Sequence, residues 1–264
     1  MSDPNIDSFQ SPPPQTETPD GPVMSSGETV SGIFFEPGRV FESLRARPRF
    51  LVAGLIIIAV SLAFSVLFFQ RAGYEEIMRA AVEDSPNAAQ QSPEQKLRAL
   101  QVRLHPAVKA FYYVSRPIAV TITLAISAAL YLLGTMVLGQ KISFKQALSV
   151  STYARLPPEL LAGFLNILLL FIKSADDMEL SQLRNGLVRA DLSLLVDPKA
   201  SPVLGSALGS FDLFAFYGLY LAALGLRKVA KLSPGTAWGI VLTIWIIKVI
   251  LRIIWAAAFG TTIG

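Results

Sequence analysis

Two basic residues interrupt the last apolar stretch of the sequence. Lys248 and Arg252 are four residues apart, so they share one face if this stretch is a helix. Charged side chains inside a hydrocarbon layer are costly unless they are paired or reach water. Asp212, in the preceding apolar stretch, is the expected partner of Arg252. The arrangement suits either a charged cavity for transport or a structural ion pair beside a snorkelling lysine, and the ion pair is the preferred interpretation.

A second polar group lies in the third apolar stretch, where an arginine, two prolines and a glutamate occur together: Arg155, Pro157, Pro158 and Glu159. A proline inside a helix removes a hydrogen bond and clashes with the preceding turn, so we predict a break at Pro157-Pro158. The N-terminus of a restarted helix can bind an anion, as it does in transporters. Glu159 could instead cap that end or pair with Arg155, and a structural kink is the preferred interpretation.

No recognisable catalytic set accompanies these charges. The chain has one histidine, His105, and no cysteine, which excludes histidine-based triads, thiol nucleophiles and His/Cys zinc sites. Glu75-Glu76 is similar to the paired glutamates of CAAX-type intramembrane proteases, but the histidines that those enzymes also need are missing. No P-loop or G-x-G-x-x-G pattern occurs. We therefore expect no enzymatic activity, no cofactor and no metal.

The elements that position these charges are predicted to be membrane-spanning helices. Hydrophobic residues make up 52% of the 264 residues, and charged residues only 16%, well below the roughly 25% of soluble proteins. The apolar residues are concentrated in stretches of about 20, enough to cross about 30 Å of hydrocarbon. The sequence predicts an all-α, polytopic helical membrane protein with about five spans, the third of them broken. The spans are predicted at residues 50–69, 117–138, 147–172, 209–226 and 236–259.

Less apolar segments precede and separate the spans. Residues 1–32 are rich in Pro, Ser, Gln and Thr, which is typical of a disordered tail, and they lack a signal-peptide pattern. We predict that this tail is cytoplasmic and that residues 33–264 form the membrane domain. Polar loops are predicted at residues 70–116 and 173–208, both with short helices.

Four arginines precede the first span: Arg39, Arg45, Arg47 and Arg49. Pro37 suits the first turn of a helix, after which Val40, Phe41 and Leu44 share one face. An apolar stripe beside arginines predicts an interfacial helix that lies on anionic lipid headgroups, although arginines that only orient the first span are an alternative. Because the basic residues flank apolar stretches and form no dense patch, the net charge of +4 indicates contact with lipid and not with nucleic acid.

The distribution of basic residues also predicts the orientation in the membrane. The short turns between spans carry the remaining clusters: Lys141 and Lys145, then Arg227, Lys228 and Lys231. The positive-inside rule places these clusters and the four arginines in the cytoplasm. With five spans the N-terminus is then cytoplasmic and the C-terminus outside, and we expect a bacterial inner (plasma) membrane.

Short motifs accompany this order of spans: Phe35-x-Pro37, Phe144-Lys145-Gln146-Ala147-Leu148-Ser149 leading to Leu156-Pro157, Leu213-Phe214, Leu224-Gly225-Leu226-Arg227, and an Ala-Trp start to the fifth span. Over roughly residues 33–259 the chain resembles the prokaryotic branch of the YIP family, the Ypt/Rab-interacting membrane proteins. The resemblance implies five spans, a cytoplasmic N-terminus and a C-terminus across the membrane. Eukaryotic members bind prenylated small GTPases and shape Golgi and endoplasmic-reticulum membranes. Their Asp-Leu-Tyr-Gly-Pro signature is absent before the first span, so neither Rab binding nor any site residue is carried over.

The sequence therefore favours a non-enzymatic YIP-type membrane protein that acts as a membrane-organising scaffold or binds an unidentified protein partner. The alternative is a small transporter or channel component that uses the charged residues of the last two spans and the proline break. The two hypotheses differ in one respect: Lys248→Met and Glu159→Gln would abolish a solute or ion flux only in a transporter.

Overall fold

The computed structural model describes residues 24–83, 85, 88–196 and 200–260, and helices dominate these residues, which include no β-strand. The α-helices are α1 (Ser26–Phe35), α2 (Pro37–Ala46), α3 (Leu51–Ala72), α4 (Tyr74–Glu83), α5 (Pro93–Leu104), α6 (Pro106–Val137), α7 (Phe144–Ile172), α8 (Leu180–Asn185), α9 (Pro202–Leu208), α10 (Leu213–Val229) and α11 (Pro234–Phe259). Short 3₁₀ turns occupy Ala88–Gln90, Ala175–Asp177 and Leu192–Leu195. The predicted all-α class is confirmed.

Four of these helices, α3, α6, α7 and α11, are long and apolar enough to cross a membrane. The predicted polytopic helical membrane protein is therefore confirmed. Helix α10, which corresponds to the predicted span 209–226, is shorter, at 17 residues. At 1.5 Å per residue it is about 26 Å long, less than the roughly 30 Å of a hydrocarbon core. The fourth predicted span is thus shorter than a full crossing helix and begins four residues later than predicted.

Helix α7 lies at the centre of the bundle and packs against α3, α6 and α10. It is continuous through Pro157 and Pro158, so the predicted break in the third span is wrong. Both prolines are buried, and α10 approaches this turn at Gly218, where an added Cβ would lie 3.7 Å from both the Ala154 carbonyl oxygen and Pro158 Cγ. Helix α10 thus packs against the proline turn, and prolines are tolerated within membrane helices that are packed against neighbouring helices.

Helix α6 begins at Pro106, eleven residues before the predicted start of the second span at Pro117. His105 caps it, with Nδ1 accepting a hydrogen bond of 3.3 Å from the Ala107 N–H. Pro117 lies buried inside the helix, so its predicted position at a helix start is wrong, and the polar loop predicted to reach residue 116 ends earlier. The sequence around Pro117 was misleading because proline is also common in the first turn of a helix. Only the packing of α6 determines that Pro117 lies inside the helix.

Helix α1 occupies the end of the segment predicted to be disordered. Ser25 Oγ accepts from the Glu28 N–H, and the Glu28 carboxylate accepts from the Ser25 N–H at 2.6 Å, which makes a capping box. The predicted boundary at residue 32 is therefore too late, because helix begins at Ser26. Residues 1–23, which belong to the same predicted tail, lie outside the described residues.

The second predicted polar loop folds back along the membrane helices. Asn166, buried in α7 six residues before the helix ends, accepts hydrogen bonds from the Leu187 and Val188 N–H groups, the latter at 2.9 Å. Further along the loop, α9 packs against α11. The loop thus lies against α7 and α11 beside the start of the short helix α10, and it does not project away from the bundle.

Candidate functional site

The first candidate site is a cluster of basic side chains at one end of the bundle, here called the basic face. It comprises nine residues: Arg39, Arg45, Arg47, Arg49, Lys141, Lys145, Arg227, Lys228 and Lys231. They lie on α2, in the first turn of α7, in the last turn of α10, and in the segments that join α2 to α3, α6 to α7, and α10 to α11. Only three acidic residues lie on α1, on α2 or between them, namely Glu28, Glu36 and Glu42, so the face has a clear excess of positive charge.

The basic face exposes six of these nine side chains: Arg39, Arg47, Lys141, Lys145, Arg227 and Lys231. Two of the arginines that were predicted to contact headgroups are instead half-buried. Arg49 donates a hydrogen bond of 2.9 Å to the Met24 carbonyl oxygen, and the Arg45 carbonyl oxygen accepts one of 2.8 Å from Gln146 Nε2. Arg49 therefore fastens the N-terminal segment to the residues that follow α2, and the Arg45 backbone fastens the start of α7 to α2.

Helix α2 carries the basic face, and its apolar stripe is buried. Phe41 lies against Gly225 of α10, where an added Cβ would be 2.9 Å from Phe41 Cε1 and 2.8 Å from Val150 Cγ1. Beside this contact Glu42 forms an ion pair with Lys228. The predicted interfacial helix is therefore wrong in one respect: its apolar side faces α10 and not lipid. A stripe of apolar residues suits packing against another helix as well as contact with lipid, so the sequence could not distinguish the two environments.

Helix α1 is fastened to α7 through a buried pair of hydroxyl groups. Thr29 Oγ1 and Tyr153 Oη are 2.9 Å apart, and both residues are buried. The Met24 N–H donates to Ser43 Oγ at 3.1 Å. Phe35, at the end of α1, is 85% exposed beside this packed region. The α1–α2 pair is thus a fixed platform that presents an aromatic ring and basic side chains.

The second candidate site is a group of charges within the long helices, here called the intramembrane cluster. Arg155 Nε and Glu159 Oε1 are 3.0 Å apart, one turn from each other on α7, which confirms that this pair can form. Asp212 caps α10, since its Oδ1 accepts from the Ala215 N–H at 2.7 Å. The structure therefore gives Glu159 and Asp212 structural partners of their own.

Arg252 lies beside the start of α10, since an added Cβ on Gly209 would be 3.9 Å from Arg252 Nη2, and the carboxylates of Asp191 and Asp212 attract it. The two aspartates face each other in an isolated antiparallel bridge, and Asp191 Oδ1 accepts from the Ser193 N–H at 2.8 Å. The prediction that Arg252 lies near Asp212 is consistent with this arrangement, but sequence reasoning missed Asp191. The polar Asn166 within an apolar helix was the available signal that the loop folds back.

Lys248 lies on the same helix as Arg252, yet it is exposed, and no ion pair or hydrogen bond joins it to any of the described residues. The charged groups that influence it are Arg155, Arg252, Glu159 and Asp212. The five predicted residues therefore lie close enough to one another to interact electrostatically.

Arg116 is a further member that the sequence reasoning assigned to a polar loop. It interacts with Glu159 and Arg155, donates from Nη1 to the Leu183 carbonyl oxygen at 3.1 Å, and lies 4.9 Å from the centre of the Phe64 ring. Helix α6 begins earlier than predicted, and this brings Arg116 within the helix. Within the part of the chain that the structure describes, no group of three His, Cys, Asp or Glu side chains is placed to hold a metal ion.

Comparison with known proteins gives one match, to a protein-family model described as the Yip1 domain, over residues 31–256. No curated protein and no solved structure matches the chain. The matched range begins in α1 and ends in α11, so it includes both the basic face and the intramembrane cluster.

Proposed function

This chain belongs to the Yip1 domain family, and from that membership and its basic face we propose that it is a non-enzymatic, membrane-organising scaffold. It is an integral membrane protein. In this proposal the basic face holds anionic lipid headgroups and an unidentified protein partner. The observation that carries the proposal is the fixed docking of α1 and α2 on the bundle, which keeps the basic side chains together at one end.

Electrostatics supports lipid as a partner of the basic face. Each Lys or Arg near a membrane surface that contains anionic lipid contributes about 1 kcal/mol of attraction. Six exposed basic side chains lie at this end, so their sum is large compared with one surface ion pair. Because Phe41 and Glu42 hold α2 against α10, the charges need little further ordering when they meet headgroups.

A protein partner would use the same platform. Phe35 is an exposed aromatic ring and Arg39 an exposed cation four residues later, and rings and arginines of this kind are enriched where proteins bind each other. The partner would accordingly present acidic and apolar groups. The lack of the Asp-Leu-Tyr-Gly-Pro signature before α3 supports assignment to the prokaryotic branch, with a partner other than a prenylated GTPase.

The proposed orientation places the basic face in the cytoplasm of a bacterium, at the inner membrane. The opposite end mixes charges: α4 and α5 together carry Glu75, Glu76, Glu83 and Glu94 among their basic residues. The positive-inside rule therefore favours a cytoplasmic N-terminus. In this proposal the short helix α10 also crosses the membrane, which brings the number of crossings to five, and the C-terminus is then outside.

The structure removes the main argument for a transport function. The predicted anion site required a helix that restarts after Pro158, and α7 is continuous there. The scaffold proposal needs no solute pathway, so it remains the better account of the basic face.

The experiment that tests the scaffold proposal compares lipid retention by two matched variants in nanodiscs of phosphatidylcholine with phosphatidylglycerol. The first variant combines Arg39→Gln, Arg47→Gln and Lys231→Gln, and the control combines Arg71→Gln, Arg79→Gln and Arg98→Gln, which are exposed at the other end. We expect the first variant to retain much less phosphatidylglycerol in native mass spectrometry, and the control to resemble the unmodified protein. Equal retention by both variants would contradict the proposal.

A further inference from the structure

The loop that precedes α10 exposes large apolar side chains. Along residues 192–213, here called the apolar segment, seven such side chains are exposed: Leu192, Leu194, Leu195, Val203, Leu204, Phe211 and Leu213. Residues 192–196 and 200–211 contain no charged residue, whereas Asp197 and Lys199, between these two ranges, lie outside the described residues. Exposed apolar surface of this kind marks contact with a membrane or with another protein.

The apolar segment lies beside α11 and not beyond its end. The ring centres of Phe211 and Trp245 are 5.6 Å apart, and Trp245 is fourteen residues before Phe259, the last residue of α11. At 1.5 Å per residue that separation is about 21 Å. The 26 residues of α11 span about 39 Å, only about 9 Å more than a hydrocarbon core. Phe211 therefore lies at the depth of the hydrocarbon even if α11 protrudes only at this end.

A second contact places α9 along the same part of α11. Helix α9 packs against α11, and an added Cβ on Gly209, which follows α9, would be 3.9 Å from Arg252 Nη2. Arg252 is seven residues, or about 11 Å, before the end of α11. The lipid-facing surface of α11 carries exposed apolar side chains at Ile250 and Ile254 on either side of this level. The apolar segment thus adjoins a surface that already contacts the hydrocarbon.

The side chains that the apolar segment buries are small and mostly polar: Ser193, Gly205, Ser206 and Ser210. A segment that faces water buries its apolar side chains and exposes polar ones. In the apolar segment this order is reversed. Small residues toward the bundle and large apolar residues away from it are the arrangement found where neighbouring elements pack closely within lipid.

The backbone of the apolar segment is hydrogen-bonded where it turns from α9 into α10. The Phe211 N–H donates to the Leu208 carbonyl oxygen at 3.1 Å, and the Leu213 N–H donates to the Ala190 carbonyl oxygen at 3.0 Å. The 3₁₀ turn Leu192–Leu195 and α9 hold much of the rest in helical turns. A segment that faces lipid must satisfy its backbone groups internally, because the hydrocarbon core offers no water. The segment therefore suits a lipid environment.

We propose that the apolar segment enters the half of the bilayer opposite the basic face and contacts lipid acyl chains there. Ser201, which follows Lys199 by two residues, is its water-facing edge. Helix α10, at about 26 Å, is shorter than the hydrocarbon core, and the apolar segment covers the remaining depth beside its start. The partner of this surface is the bilayer itself, and the proposal does not depend on the scaffold function of the basic face.

The test places a spin label on single cysteines of the full-length protein, which has no cysteine of its own. Leu195→Cys and Leu204→Cys report on the apolar segment, where both side chains are exposed and their replacement leaves the packed core intact. Leu251→Cys, exposed on α11, is the lipid-facing control, and Ser92→Cys, exposed before α5, is the water-facing control.

The labelled proteins are reconstituted in nanodiscs of phosphatidylcholine with phosphatidylglycerol. Power-saturation electron paramagnetic resonance then measures how often each label collides with molecular oxygen, which concentrates in hydrocarbon, and with a water-soluble nickel chelate. A variant that does not elute as a single species is replaced by Leu194→Cys or Val203→Cys, at the neighbouring exposed positions.

We expect the labels at Leu195 and Leu204 to collide more often with oxygen than with the nickel chelate, as at Leu251. The label at Ser92 should show the reverse order. Preference for the chelate at both Leu195 and Leu204 would place the apolar segment in water and overturn the proposal. Protection of both labels from both reagents would overturn it as well, because protein, such as a second copy of the chain, would then cover the segment.

Discussion

The ring of Phe41 in α2 lies directly against Gly225 in α10, where a Cβ added to the glycine would be 2.9 Å from Phe41 Cε1. This contact joins the segment before the first long helix to the short helix near the end of the chain. It explains why α2 is part of the helical bundle and does not lie on the membrane surface as a separate interfacial helix. The basic face depends on it, because α2 carries Arg39 and leads into Arg47.

Replacing Gly225 by valine should separate α2 from α10. The new side chain would overlap Phe41 and Val150, and overpacking of this kind costs about 1–3 kcal/mol. We expect a lower Tm in detergent and faster proteolysis between α1 and α3. Gly239→Val is the matched control, since nothing lies within 4 Å of its added Cβ. A Gly225 variant with the same Tm and cleavage rate as the control would contradict the packing described for α2.

The hydroxyl pair of Thr29 and Tyr153 should stabilise the docking of α1. Tyr153→Phe removes one of two buried hydroxyl groups that are 2.9 Å apart. We expect a loss of about 0.5–1.5 kcal/mol in the free energy of unfolding, the typical contribution of one hydrogen bond. Tyr220→Phe, at an exposed tyrosine of α10, should leave stability unchanged. Equal stability of the two variants in a thermal unfolding assay would argue against a fixed α1.

The capping box of α1 should make its first turn sensitive to acid. Hydrogen bonds from the Ser25 backbone N–H, and then from the Ser25 hydroxyl, hold the pKa of Glu28 below its usual value of 4.5. A carboxylate whose pKa is lower in the folded state contributes stability above its unfolded pKa. That stability is lost as the pH falls through the folded pKa.

We therefore expect the amides at the start of α1 to lose protection from hydrogen exchange as the pH falls below 4.5, after correction for intrinsic exchange rates. Glu28→Gln keeps a side-chain acceptor but removes the charge, so its protection should not change over the same range. An identical pH profile for the two proteins would show that Glu28 does not titrate in the capping box.

Asn166 should hold the folded-back loop against α7. Asn166→Leu leaves the N–H groups of Leu187 and Val188 without their acceptor, which costs about 1–3 kcal/mol. We expect faster hydrogen exchange in residues 186–190 and little change in α3. Asn166→Asp retains an acceptor oxygen and should restore part of the protection, whereas Asn185→Ala, at an exposed position, should have no effect. Unchanged exchange in Asn166→Leu would contradict the contact.

The sequence was sufficient for features that depend on composition and local chemistry. Long apolar stretches identified the four crossing helices, and the spacing of Arg155 and Glu159 identified a possible ion pair. The sequence was insufficient for features that depend on how distant segments pack against each other. The continuity of α7 through Pro157 depends on a close neighbour, and the buried stripe of α2 depends on Gly225, which is far away in sequence.

The position of Asp191 beside Arg252 could not be predicted for a similar reason. A polar loop gives no local signal of where it will fold, and only Asn166 in an apolar helix indicated a partner from outside the helix. Arg116 was misplaced because the pattern before Pro117 resembled the end of a loop.

The most direct test of the central claim is the accessibility of single cysteines to a membrane-impermeant maleimide in intact cells, in a chain that has no cysteine of its own. The positions are Ser31, Gln140 and Lys231 at the basic end, and Ser92 and Ser201 at the other end; all are exposed. We predict that Ser92→Cys and Ser201→Cys react in intact cells, whereas the three basic-end variants react only after permeabilisation. Reaction of Ser31→Cys in intact cells, or equal reactivity of Lys231→Cys and Ser201→Cys, would contradict a cytoplasmic basic face and a crossing by α10.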